Sequence, residues 1–168
     1  AAMAAGDDSS DAYVILAAGL SGVGRHQEAA DAAKRAIDID QNGRPDQKST
    51  HLMRAYFDYG LELMALGRVN ESIAPLEKAA SLEPAMADVW YSLGNAYRKL
   101  RQPDAAVMNF QKAVQVKPGH AEAWVNMGIT LMEAGRTQEA RQALERGREL
   151  AKPDSEADRL ANRYLQRL

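Results

Sequence analysis

The chain has 168 residues, 46% of them hydrophobic and 26% charged, with a formal net charge of -2 and no cysteine. This is the composition of an ordinary globular chain; acidic and basic residues are interspersed, and without a run of Lys and Arg a nucleic-acid partner is not expected. The lack of cysteine removes disulfides, thiolate chemistry and cysteine zinc sites, and it favours a reducing cytosol while leaving a periplasm open.

Residues 1–9 read as a disordered or tag-derived N-terminus, Ala1–Gly6 being either a leftover of expression or the start of a processed domain. Ser9 or Ser10 is the expected cap of a first helix running to about Ser21. Within it lies the longest apolar run, Ala12 to Leu20. A membrane helix needs about 20 such residues, so no membrane insertion is expected. Gly19-Leu20-Ser21-Gly22-Val23-Gly24 looks superficially like a phosphate loop but lacks the preceding strand and the lysine, and reads as an inter-helix turn at Gly24. Tyr13, Leu16, Ala17 and Leu20 before that turn, and Ala29, Ala33 and Ala36 after it, fall at helical spacing. Residues 10–43 thus form a first helical hairpin.

The strongest pattern is in residues 87–120. Trp90, Leu93, Gly94 and Tyr97 occupy i, i+3, i+4 and i+7 of one helix, and Ala106, Phe110, Ala113 and Val114 repeat the arrangement on a second, which Pro118 ends. Trp90, Tyr97 and Phe110 are expected to interdigitate over the small residues. A shift of 34 residues carries Trp90 onto Tyr56 and Trp124, Gly94 onto Gly60 and Gly128, Phe110 onto Leu76 and Leu144, and Pro118 onto Pro84. Hairpins at 53–86, 87–120 and 121–154 follow. A strict period would begin the second at residue 44, so 44–52 is an insertion. Asn42-Gly43 with Pro45 reads as a turn, and Asp46 to Leu52 as one to two extra turns at the start of the next helix. This overhang is either a tolerated surface insertion or a partner or oligomer contact. Gly67 suits the turn of the second hairpin, and Pro75 stands close enough to the start of its second helix for that helix to survive. Gly147 inside the last hairpin costs about 1 kcal/mol relative to alanine, with close packing as its reason. Residues 155–168 form a final helix with Leu160, Ala161, Tyr164, Leu165 and Leu168 on one face and Arg159, Arg163 and Arg167 on the other, started by a Ser155/Asp158 capping box.

No residue pattern speaks for catalysis, a metal or a cofactor. His26, His51 and His120 have no carboxylate at a ligand spacing and read as surface residues, and Ser92 has no base beside it.

The run Trp90-x2-Leu93-Gly94-x2-Tyr97 with Ala106, Phe110 and Pro118 resembles the tetratricopeptide repeat. The resemblance implies an all-α, right-handed α-solenoid of four repeats with a C-terminal capping helix. It implies a non-enzymatic scaffold or adaptor that binds a peptide or protein segment in a concave groove lined by first helices. The groove positions map onto Arg54, Phe57 and Leu61, then Tyr91, Asn95, Arg98 and Lys99, then Val125, Asn126 and Ile129. Asn95 and Asn126 would hold a peptide backbone; Phe57, Leu61, Tyr91, Val125 and Ile129 would offer an apolar patch, and Arg54, Arg98 or Lys99 would favour a nearby acidic residue. Family members that clamp chaperone tails carry a lysine where this chain has Tyr91, and further basic residues where it has Glu156 and Leu160, so the resemblance stops short of that clamp. Homo-oligomerisation and service as a targeting module of a larger enzyme are the alternatives.

Overall fold

The structure, a computed structural model, describes residues 9–43 and 50–168. The expectations for residues 1–8 and for residues 44–49 lie outside the described residues. All regular structure among the described residues is helical: α1 (Ser10–Gly22), α2 (His26–Gly43), α3 (Thr50–Ala65), α4 (Val69–Leu82), α5 (Ala87–Lys99), α6 (Pro103–Val116), α7 (Ala121–Glu133), α8 (Thr137–Leu150) and α9 (Glu156–Leu165). The chain divides into two compact units, residues 1–84 and 85–168.

In the first unit, α1 starts where the Ser9 hydroxyl accepts a hydrogen bond from the Ala12 amide at 3.2 Å. Its core is built from small residues, which let the helices approach closely: Ala17, Ala32, Ala33, Ala36 and Ala55 are buried with Val14 and Ile37, and Tyr13, Leu16, Tyr56 and Tyr59 pack around them. The insertion lengthens both flanking helices. α2 has 18 residues against 14 in α4, and α3 has 16 against 13 in α5, so each gains about one turn. This corrects the reading of Asn42-Gly43 as a turn. α2 runs through Asn42 to Gly43, and the Asn42 Nδ2 donates to the Asp38 carbonyl one turn back at 2.7 Å. Pro75 is the seventh residue of α4, deeper than the first turn, yet the helix runs through it, with Pro75 and Leu76 both buried. Burial of that face outweighs the lost amide bond.

The second unit contains two hairpins and a final helix. Each hairpin is fixed by a glycine that receives a large side chain. A Cβ placed on Gly94 would stand 2.5 Å from Phe110 Cε1, and one on Gly128 would stand 2.6 Å from Leu144 Cγ. Gly60 faces Leu76 in the same way in the first unit, at 2.6 Å. Phe110, Leu144 and Leu76 are fully buried as a result. Trp90 does not fill a comparable slot. It is only partly buried, packing on Ala113, Val114 and Ala123, with the Lys112 ammonium 4.1 Å from its ring centroid. The inter-helix turns use left-handed residues, Gly24, Gly67 and Gly135 with φ of 76°, 76° and 77°; in the third hairpin Arg101 takes that conformation with φ 57°.

α9 begins at Ser155, whose hydroxyl accepts from the Asp158 amide at 3.2 Å. The reciprocal bond of the capping box lands one residue upstream, from the Asp154 amide to Asp158 Oδ2 at 3.1 Å. Ala157 and Ala161 then pack into a cluster with Ala121, Val125, Ile129 and Leu144. Gly147 belongs to the same seam. A Cβ there would lie 2.5 Å from Val125 Cγ2 and 3.0 Å from its backbone nitrogen. Helix propensity alone would favour Gly147→Ala by about 1 kcal/mol, but overpacking typically costs about 1 to 3 kcal/mol. The substitution is therefore expected to lower the denaturation midpoint, and a rise in stability would show that the α7–α8 seam is looser than described.

Candidate functional site

The mapped groove residues lie on first helices, and each unit presents its own set. In the second unit, α5 and α7 place Tyr91, Asn95 and Asn126 together. Asn126 Nδ2 donates to the Tyr91 hydroxyl at 2.9 Å and to Asn95 Oδ1 at 3.1 Å. The positions that place these residues on one helical face also bring them across the α5–α7 seam, so the two amides meet directly. Their shared bond uses one donor and one acceptor. The Asn95 amide NH2 and the Asn126 carbonyl oxygen remain for a further partner.

Behind this pair stands His120. Its ring is 4.9 Å from that of Tyr91, which in turn lies 5.9 Å from Phe110. His120 is 7% exposed, which corrects its reading as a surface residue. Its Nδ1 is 3.1 Å from Glu122 Oε2; its Nε2, buried without a hydrogen-bond partner, is 3.6 Å from Asp88 Oδ1. One period earlier the same place is held by Met86, a signal that the position favours burial. His26 and His51 also face carboxylates, from Glu62 at 2.8 Å and Asp11 at 3.1 Å; no group of three metal-ligating side chains occurs among the described residues.

The apolar patch is largely absent from the surface. Val125 is 1% and Ile129 3% exposed, because Leu144, Ala157 and Ala161 close over them; Phe57 is 7% exposed. These three side chains cannot accept a ligand's apolar groups without rearrangement. Leu61 and Tyr91 stay half-buried. Arg98 and Lys99, in the last turn of α5, border a cavity of about 600 Å³ with Arg101, Pro103, Thr130 and Glu133.

In the first unit Arg54 is already engaged, its Nε donating to Asp58 Oδ2 at 2.8 Å. Asp58 and Glu62 are both buried along α3, and Glu62 meets His26. Burial raises the Asp58 pKa above its ordinary value of 3.8; the Arg54 hydrogen bond opposes the rise and the Glu62 charge adds to it. A raised carboxyl favours folding below its unfolded pKa, and that contribution is lost as the pH climbs through the folded value. The stability of the wild type relative to Asp58→Asn is therefore expected to fall as the pH is raised from that of a protonated to that of an ionised Asp58. Urea midpoints of both proteins across that range test this, and a difference that is flat or rises with pH would contradict it.

No helix among the described residues is long and apolar enough to cross a membrane. The sequence has no significant match among curated proteins. Solved structures with the same fold include MamA from Desulfovibrio magneticus RS-1, 20% identical, with a TM-score of 0.76 over 89% of this chain and 80% of that one. PilF of Pseudomonas aeruginosa is also 20% identical, with a TM-score of 0.74 over 95% of this chain and 71% of that one. The first tetratricopeptide domain of Spaghetti (RPAP3), solved with the HSP90 peptide SRMEEVD, is 19% identical, with a TM-score of 0.65 over 71% of this chain and 91% of that one. The tetratricopeptide-repeat family matches twice, as TPR repeat over residues 60–101 and as Tetratricopeptide repeat over residues 98–164. With the glycine-to-large contact repeated at Gly60, Gly94 and Gly128, these matches make the chain a member of the tetratricopeptide-repeat family.

Proposed function

We propose that the chain is a protein-binding scaffold that holds a peptide or protein segment on the first-helix face of its second unit, and that it works by binding and not by catalysis. The observation that carries this reading is the Asn126–Asn95 bond with its leftover donor and acceptor on neighbouring helices. A peptide backbone offers one C=O and one N–H per residue in every sequence, so such an amide pair can hold it whatever its side chains are. Tyr91 steadies Asn126 and is itself steadied by the ring of His120. The RPAP3 domain, which shares the fold, was solved with a bound peptide and supports the reading.

The test is affinity capture from the native source, followed by calorimetric titration of the identified partner into wild type and an Asn95→Ala/Asn126→Ala variant. Leaving a buried amide unpaired costs about 1 to 3 kcal/mol, so affinity is expected to fall about tenfold or more. Because the two amides also bond each other, melting curves should show a loss of no more than about 1 kcal/mol. Unchanged affinity would place binding elsewhere on the molecule.

A further inference from the structure

The ring of His120 lies buried behind the Tyr91–Asn126–Asn95 set with its Nε2 unmet. We propose that His120 is a proton-operated latch: protonation of its ring ties the first turn of α5 to the first turn of α7 and tightens the face that carries Tyr91, Asn95 and Asn126. Its use rests on the segment-binding reading above, since that face is the one assigned to the segment.

The latch follows from the number of protons on the ring. A neutral imidazole carries one N–H, whereas two carboxylates face this one. Glu122 Oε2, from α7, is 3.1 Å from Nδ1, within hydrogen-bond distance; Asp88 Oδ1, from α5, is 3.6 Å from Nε2, just beyond it. With the proton on Nδ1 the Glu122 bond forms, and the lone pair of Nε2 is left against a second acceptor. Moving the proton to Nε2 reverses the conflict without removing it. Only the doubly protonated ring donates to both carboxylates, and both bonds are then charge-assisted. Burial disfavours a charged ring, but here each nitrogen meets a carboxylate, which is what a buried charge requires.

The surroundings hold the ring still and leave the carboxylate to move. The His120 amide donates to the Lys117 carbonyl at 3.0 Å, and the His120 carbonyl accepts from the Ala123 and Trp124 amides at 3.1 and 3.2 Å, so the residue is fixed as the start of α7. The charged and titratable groups around the ring are Asp88 and Tyr91 from α5 and Glu122 from α7; Lys117, from the α6–α7 connection, meets it through the backbone. Asp88 and Glu122 are exposed, and among the described residues no lysine or arginine forms an ion pair with either. Asp88 can therefore close on Nε2 without breaking another bond.

Tyr91 passes the change on. Its ring lies 4.9 Å from that of His120, and an aromatic ring attracts an imidazolium more strongly than a neutral imidazole. The Tyr91 hydroxyl accepts from Asn126 Nδ2, which also donates to Asn95, so the ring and the amide pair are linked. In the preceding repeat the equivalent of His120 is Met86. Methionine meets a need for burial alone; what histidine adds at this position is a change of charge.

The test follows the isotopically labelled full chain by NMR as the pH is lowered from about 8 to about 5, the span in which histidine changes charge. Both ring nitrogens of His120 should end the titration protonated. The backbone amides of Asp88 and Tyr91 and the side-chain amide of Asn126 should shift with the midpoint of that ring, and not with those of His26, His51 or the carboxylates. His120→Met, which carries the residue of the preceding repeat, should abolish these shifts, and His120→Gln repeats the test with a second side chain that does not titrate. Asp88→Asn should diminish the α5 shifts while His120 still titrates. An Asn126 amide that stays still while His120 titrates, or shifts that persist without His120, would overturn the proposal. So would a ring that remains singly protonated at the acid end. None of these results touches the segment-binding reading, which stands or falls on the response of the captured partner to Asn95→Ala/Asn126→Ala.

Discussion

Everything in this molecule depends on how close the two helices of a hairpin can come. Gly60, Gly94 and Gly128 each leave a vacancy on a first helix, and Leu76, Phe110 and Leu144 each fill it from the second, at distances that no Cβ would allow. The contact buries Leu76, Phe110 and Leu144 completely and fixes which way each first helix faces. Once α5 and α7 are set by Phe110 and Leu144, their outward positions are determined, and Tyr91, Asn95 and Asn126 meet as a consequence. The proposed binding surface is thus a by-product of the core.

The same packing explains why that face is polar. Val125 and Ile129 are directed into the seam where α9 and the Gly147 stretch of α8 close on α7, so the apolar residues nearest the asparagines are consumed internally. What remains at least partly exposed is amide, hydroxyl and, at the end of α5, the basic side chains of Arg98 and Lys99. A surface of that kind recognises backbone and charge better than it recognises shape, because its contacts are directional hydrogen bonds and not a deep apolar slot.

Much of this was legible in the sequence. The repeat, the turn glycines Gly24 and Gly67, the Ser9 and Ser155 caps and the final helix all leave local signatures, since each rests on one residue's backbone preference or on a fixed period. The errors have a common cause. Spacing places a residue on a face, but only the neighbouring element decides whether that face is covered. Val125 and Ile129 were covered by α9, His120 was buried against Tyr91, and Trp90 was left partly outside while Phe110 took the slot. Asn42-Gly43 misled for a related reason: turn propensity is weak, and here α2 continues through it. The Asn126–Asn95–Tyr91 bonding was visible only as adjacency, because spacing does not reveal which amide donates.

The central claim, that the α5–α7 face carries the binding function, is tested most directly by the side-chain amide NMR resonances of Asn95 and Asn126 in the presence of the captured partner. The account predicts that both shift on binding, together with the backbone of α5 and α7, while α6, α8 and α9 stay largely unchanged. Shifts centred on α9 or on the α2–α3 connection, with both asparagines unmoved, would contradict it.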